Sequence, residues 1–248
     1  MKHYSNSKKK LCLILTTVGV ILAGLILAFF IYVNNYYHTE SLAMRFLEDN
    51  QTISLTYEKD YLVLAPKENA LDTALIFYPG GKVEYTAYAP MLSKLAEAGY
   101  ICIIPKMPFN LAVFDQDAAT PIMADFPEIK HWYLGGHSLG GAMAASYASK
   151  HSEALDGLIL LGAYSTQDLS QLPLKVLSIY GSEDKVLNKA NYEEGKAFLP
   201  NDFTELCLEG GNHAYYGEYG EQAGDGHATI TSEEQKRLTV EAILEFFH

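Results

Sequence analysis

The sequence predicts an α/β domain, a mostly parallel sheet with helices on both faces, preceded by one membrane-spanning helix. Three observations predict it. From about residue 50 onward, short continuous apolar runs alternate with helix-patterned segments, as expected for strands buried on both faces. The stretch Leu11 to Val33, LCLILTTVGVILAGLILAFFIYV, carries no charge. A helix of that length crosses a hydrocarbon core of roughly 30 Å. The chain has 248 residues, 49% of them apolar, enough for one well-buried domain and a small appendage.

Charge orients the appendage. Lys8, Lys9 and Lys10 stand just before the span, and only Arg45 follows in the first stretch after it. The excess of positive charge on the first flank places residues 1–10 in the cytoplasm, residues 11–33 in the lipid bilayer and the rest outside. A cleaved signal peptide competes with this reading. Its apolar core normally runs to about 7–15 residues with a small-residue cleavage site close behind. The nearest candidate, Ser41-Leu42-Ala43, lies well past the run and after Glu40, so an uncleaved anchor is expected. The formal net charge of −12 argues against a nucleic-acid partner, which meets a basic face. Setting aside Lys2 and the three lysines leaves 14 of the 18 basic residues against 30 acidic ones, near −16 outside. Anionic headgroups would repel such a domain, so residues 34–49 are expected to be a linker that stands it off the bilayer.

The elements of the domain at 50–248 follow in order. TISLTYEKDYLVLAP reads as two antiparallel strands with Glu58-Lys59-Asp60 at the turn, and ALIFYPGG as a buried strand ending in glycines. Tyr85 to Gly99 has helical spacing, with Leu92, Leu95 and Ala96 on one face and Gly99 closing it. Next come strand YICIIPK, a loop, a short helix near Ile122 to Phe126, and strand HWYLGG. A helix of small residues runs from Leu139 to about His151. Strands LDGLILLGA and LKVLSIYG, a helix near Asn188 to Leu199, strand FTELCLEG and a helix from Ser232 to Phe247 complete the chain. Cys12 falls in the span, while Cys102 and Cys207 sit in strand-like runs and read as free core thiols rather than a disulfide framework.

The junction WYLGGHSLGGAM carries the chemistry. Gly136-His137-Ser138-Leu139-Gly140 is G-x-S-x-G between a strand and a helix. A side chain two residues either side of Ser138 would collide with the crossing backbone, and the sharp turn lifts the hydroxyl above the carboxyl edge of the sheet. The N–H of Leu139, at a helix N-terminus, points into the same space and suits an oxyanion. A serine hydroxyl needs a base, and the base needs an orienting acid. Strand LKVLSIY ends in Gly181-Ser182-Glu183-Asp184, and strand FTELCLEG ends in Gly210-Gly211-Asn212-His213. His213 is therefore the candidate base, with Asp184 or Glu183 as the acid, and His137 packs beside the nucleophile. A second oxyanion N–H is expected from Tyr78-Pro79-Gly80-Gly81-Lys82, from Gly81 or Lys82.

On these motifs, residues from about 72 to 247 resemble the α/β-hydrolase superfamily, in its compact branch near dienelactone hydrolases and small carboxylesterases. The resemblance implies the chain order Ser138, Asp184, His213, and favours Asp184 over Glu183 through G-x-x-D. It sets Pro79 where many members carry a histidine and favours Gly81 beside Leu139 in the oxyanion hole. Ser138 stands where dienelactone hydrolases have a cysteine, which argues against that specific activity. Too few residues separate LDGLILLGA from LKVLSIY for a helical lid, so an open site for short acyl groups or an exposed ester is expected. Phe109, Asn110 and Phe114, after strand YICIIP, are candidate substrate-binding residues. The loop HAYYGEYGEQAGDGHATI reads as solvated. Its carboxylates Glu218, Glu221 and Asp225 match no EF-hand spacing, and neither a metal nor another cofactor is expected. The function implied is a membrane-anchored serine carboxylesterase. The same triad serves a thioesterase or peptidase, and a binding module without turnover is the alternative of another class.

Overall fold

Side-chain alternation along the strands decides how the domain is built. In the computed structural model, which describes residues 2–248 and side chains from Leu11 onward, Leu75 and Phe77 of β3 (Thr73–Tyr78) enter one core cluster. Ala74, Ile76 and Tyr78 of the same strand enter the other. A strand apolar on both faces must be covered on both, which demands helices above and below. The side chains of Lys8, Lys9 and Lys10 in the 1–10 segment lie outside the described residues.

The strands are β1 (Ile53–Tyr57), β2 (Tyr61–Pro66), β3, β4 (Ile101–Pro105), β5 (His131–His137), β6 (Gly157–Leu161), β7 (Lys175–Gly181) and β8 (Thr204–Leu208). They form one sheet in the order β1-β2-β4-β3-β5-β6-β7-β8. β1 and β2 pair antiparallel, Ile53 opposite Pro66, around the expected 58–60 turn, and β2 pairs antiparallel with β4. Every later pairing is parallel. The strand order reverses beside β3 and β5, so the loops after both open at one carboxyl edge.

Helices α2 (Ala89–Glu97) and α6 (Ser232–Phe246) cover one face, where Met91, Leu92, Val240 and Ile243 meet Leu75, Phe77, Ile159 and Ile179. Helices α3 (Ala119–Asp125) and α4 (Leu139–His151) cover the other, where Ala144, Ala145 and Ala148 let the α4 backbone lie close to Leu134, Leu158 and Leu160. The short α5 (Lys189–Gly195) is capped by Asn188, whose side chain accepts the N–H of Asn191. The expected helix from Tyr85 divides in two. Tyr85–Tyr88 is a 3-10 turn and α2 starts at Ala89, with Pro90 in its first turn, where a missing N–H costs nothing. Residues 162–174 join β6 to β7 without a helix. Cys102 and Cys207 are free thiols, the first buried and the second exposed.

The chain divides into two units, the second running from Tyr37 to His248. The first contains α1 (Lys2–Asn34), whose stretch Leu11–Asn34 has a mean hydropathy of 2.7 and is long and apolar enough to cross a membrane. Its length and composition fit an anchor and a signal sequence alike. Within the second unit, the segment read as a linker is bonded chain from Tyr37 on. Tyr37 exchanges backbone hydrogen bonds with Lys82 and Glu84, and Glu40 donates its N–H to the Glu218 carbonyl at 2.9 Å. Ala43, in a 3-10 turn at Ser41–Phe46, is fully buried. Unpaired backbone is costly wherever water is excluded, and these residues find partners on the domain instead of spanning solvent.

Leu75 is fully buried in the centre of the sheet. Leu75→Ala is expected to lower unfolding stability by about 2–5 kcal/mol. Urea denaturation of the purified protein measures this, and a loss below about 1 kcal/mol would contradict the packing described.

Candidate active site

The site grows from the junction of β5 and α4. Ser138 holds φ +53° and ψ −121°, a left-handed conformation that a side-chain-bearing residue adopts only under constraint. The neighbours supply it. A Cβ on Gly136 would lie 2.5 Å from the Gly140 carbonyl carbon, and one on Gly140 would lie 2.2 Å from the Tyr78 carbonyl oxygen. The two glycines let strand and helix cross over β3, and the Ser138 N–H is tied to the Leu161 carbonyl at 2.9 Å. Leu139 opens α4, so its N–H belongs to the first turn, which has no intrahelical acceptor.

His213 and Asp184 meet behind this turn. His213 Nδ1 and Asp184 Oδ2 are 2.7 Å apart, with both side chains at 1% exposure or less. Asp184 Oδ1 accepts the N–H groups of Val186 and Leu187 at 2.9 and 2.8 Å, which fixes the carboxylate and compensates its burial. Glu183 instead lies against the Ser182 hydroxyl at 3.4 Å. With Nδ1 committed to the carboxylate, Nε2 of His213 is left without a partner. Ser138 and His213 line one cleft of 290 Å³, together with Leu139, Ala142, Gly162, Ala163, Tyr164, Val186, Leu187 and Asn188. His131 and His151 stand apart, the first on Asp156 and the second stacked on Tyr147.

The loop after β3 comes to the same place. A Cβ on Gly81 would lie 2.9 Å from Leu139 Cδ2. The Lys82 N–H is consumed by the Asn110 carbonyl at 2.7 Å, which leaves Gly81 as the oxyanion candidate of the two. Gly80 donates its N–H to the Tyr88 hydroxyl at 2.9 Å, and that hydroxyl lies 2.8 Å from His137 Nδ1. Tyr88 thus locks the loop to the residue before Ser138. Burial drives the His137 pKa well below the usual imidazole value, with the nearby His213 adding to it. A neutral His137 accepts at Nδ1 from the Tyr88 O–H.

Phe109, Asn110 and Phe114 do not line the cleft at Ser138. Asn110 acts through its carbonyl, which holds the Lys82 N–H. Phe109 and Phe114 pack ring to ring at 5.6 Å, each about half exposed, in two 3-10 turns after β4. The loop after His213 is solvated only in part: Tyr216 and Tyr219 are buried in the core cluster with α2 and α6, while Glu221, Ala223, Gly224, His227 and Thr229 are exposed. Of its carboxylates, Glu218 pairs with the buried Lys236 at 2.5 Å, and Asp225 accepts backbone N–H groups.

Three residues that matter here escape a reading of motifs. Tyr88 looks like one more helix aromatic. Asp225 sits in a polar loop. Gly162, at φ +52°, would place a Cβ 3.0 Å from His213 Nδ1 and 3.2 Å from Asp184 Oδ2, so its hydrogen makes room for the pair. A glycine just past a strand of four apolar residues was the available signal.

Comparison with known proteins follows the geometry. The family model described as the alpha/beta hydrolase family matches residues 74–237. Among solved structures, an alpha/beta hydrolase enzyme from the metagenome of sediments of the Mar Chica lagoon, Morocco, is 18% identical with a TM-score of 0.58, covering 78% of this chain and 99% of that one. Carboxylesterase CesB (YbfK) from Bacillus subtilis is 11% identical with a TM-score of 0.58, covering 83% of this chain and 94% of the other. At these identities the likeness is one of fold. A protein of Mycobacterium phage D29, named as a non-heme haloperoxidase, is 30% identical over 103 residues, which are 38% of this chain and 37% of that relative's length.

The depressed pKa of His137 has a consequence for stability. Its protonation favours the unfolded chain, so its contribution is complete above the unfolded value of about 6.5 and is lost as pH falls below it, by up to about 1.4 kcal/mol per pH unit. The fall in unfolding free energy from about pH 7 to about pH 5 is expected to be shallower in His137→Gln than in the wild type. Urea unfolding at the two pH values reads this, and parallel slopes would show that His137 is not held neutral.

Proposed function

The chain belongs to the α/β-hydrolase family, and from that premise we propose that it is a membrane-anchored serine hydrolase, a carboxylesterase working through Ser138, His213 and Asp184. One observation carries the reading. The His213–Asp184 pair is fully buried at 2.7 Å, and the free Nε2 belongs to the residue that shares a cleft with Ser138.

In this mechanism Ser138 Oγ attacks the ester carbonyl carbon while His213 Nε2 takes its proton. Asp184 holds the ring in the tautomer with Nδ1–H and stabilises the imidazolium that forms. The carbonyl oxygen becomes an oxyanion that accepts the N–H groups of Leu139 and Gly81. Collapse breaks the bond to the alcohol oxygen, which takes the proton from His213. Water, deprotonated by the same nitrogen, then attacks the acyl carbon; the bond to Ser138 Oγ breaks, Oγ takes the proton back from His213, and the acid leaves. No cofactor enters these steps. A 290 Å³ cleft with Ala142, Gly162 and Ala163 in its wall, and no helix between β6 and β7, suits a short acyl group or an ester exposed on a larger molecule.

Labelling by a fluorophosphonate probe tests the nucleophile. Ser138→Ala is expected to lose labelling and to lower ester turnover by about a millionfold, with folding intact. Undiminished labelling would refute the assignment. Asp184→Asn is expected to lower kcat by about 10⁴-fold, whereas Glu183→Gln stays near wild type; similar small losses in both would point to another acid. A panel of esters, thioesters and peptides of graded acyl length reads the substrate class.

The anchor has its own test. The uncharged span preceded by Lys8 to Lys10 supports a single-pass arrangement with the N-terminus in the cytoplasm and the hydrolase domain outside. In intact cells the domain should be open to external protease and stay with membranes through a high-salt wash, since salt does not extract an apolar helix. A soluble product starting near residue 44 would show cleavage after Ser41-Leu42-Ala43. A domain sensitive to protease only after lysis would reverse the orientation.

A further inference from the structure

The loop after the base turn carries a carboxylate that the steps above leave unused. Asp225 Oδ2 accepts the N–H of Ala214 at 2.9 Å. Its Oδ1 accepts the N–H of Lys185 at 3.3 Å and of Gly226 at 2.7 Å. Ala214 follows His213, and Lys185 follows Asp184. One carboxylate therefore spans the two turns that carry the acid and the base. Neighbouring bonds hold the same seam. Asn212 donates from Nδ2 to the Gly226 carbonyl at 3.0 Å, and the Glu183 N–H reaches the Gly211 carbonyl at 2.8 Å.

We propose that Asp225 is a positioning residue for the triad, holding the acid turn and the base turn in the register at which Asp184 Oδ2 and His213 Nδ1 meet. The inference rests on the serine-hydrolase reading of that site. An ionised carboxylate is an acceptor at both oxygens, so it can take N–H groups from two separate turns at once. An amide of the same shape turns one of those acceptors into a donor facing an N–H. Asp225 is not among the residues that line the cleft at Ser138. Loosening it therefore acts on the proton-transfer geometry without removing any side chain from the cleft, and a shift of about 1 Å costs up to about a hundredfold in rate.

The test compares Asp225→Ala and Asp225→Asn with the wild type as full-length protein in detergent. A short p-nitrophenyl ester is the substrate, fluorophosphonate titration run to completion counts active enzyme, and thermal melting follows folding. In Asp225→Ala, kcat per titrated site is expected to fall about 10- to 100-fold with KM within about twofold, and the Asn variant to fall between the two. Should the Ala variant fail to fold, the Asn variant carries the comparison and must still lose kcat at unchanged KM. Unchanged kcat in the folded variants, a rise in KM that accounts for the loss, or a loss that vanishes per titrated site overturns the positioning role. A wild type that turns over beside equally active variants overturns this inference alone. A wild type that neither labels nor turns over overturns the serine-hydrolase reading together with it.

Discussion

The left-handed turn at Ser138 is the constraint on which the rest of the site depends. A φ of +53° on a residue with a side chain costs about 1–3 kcal/mol, and it persists only when the surroundings over-determine it. Here they do. β5 enters through six consecutive buried residues, Trp132 to His137, and α4 leaves over a floor of alanines. The crossing leaves no volume for side chains at Gly136 and Gly140. The same crossing sets the Leu139 side chain against Gly81, so in the proposed mechanism the turn at Ser138 fixes both the hydroxyl and the loop after β3. Gly81 in turn is held through Gly80, Tyr88 and His137, which returns to the same turn.

Electrostatics then separates two buried imidazoles only 4.5 Å apart. His213 has the Asp184 carboxylate at Nδ1, 2.7 Å away. His137 has the neutral Tyr88 phenol at Nδ1, and burial keeps it uncharged. The same ring therefore stands in two different settings, one against a carboxylate and one against a phenol. The difference lies in the partner: a tyrosine from the turn before α2 for His137, an aspartate from the turn after β7 for His213.

Much of this was legible in the sequence because it lies at strand ends. An apolar run on both faces names a central strand, and the residues just past it name its carboxyl edge. Ser138, Asp184 and His213 all occupy such positions, each preceded by glycines within the same few residues. The strand pattern also carries the order of helices, since each buried strand must be followed by its cover. Tyr88 was not legible, because its role depends on where the 3-10 turn before α2 aims a hydroxyl. Phe109 and Phe114 follow an active-edge strand and still do not line the cleft; their segment meets the loop after β3 through the Asn110 carbonyl instead. Strand-end placement names an edge of the sheet; it does not aim a side chain.

The loop from His213 to Ile230 shows the limit most fully. Its acidic and glycine-rich composition reads as a solvated flap, and its structure is that of a brace. The Glu218 N–H bonds the Ala87 carbonyl ahead of α2, the Glu218 carbonyl takes the Glu40 N–H, and its side chain meets Lys236 on α6. The Tyr37 hydroxyl accepts the Ala223 N–H. Tyr216 and Tyr219 go into the core behind His137, with rings 5.4 and 6.4 Å from it. Each of these partners is remote in sequence, so no local periodicity carries them. Polar residues bonded to distant backbone can order a loop as firmly as apolar ones bury a strand, because every N–H shielded from water must find an acceptor. In this domain the acceptors are the loop's own carboxylates and the carbonyls of neighbouring elements. The acidity that looks like a solubility feature therefore also ties the turn that carries His213 to the turn that carries Asp184.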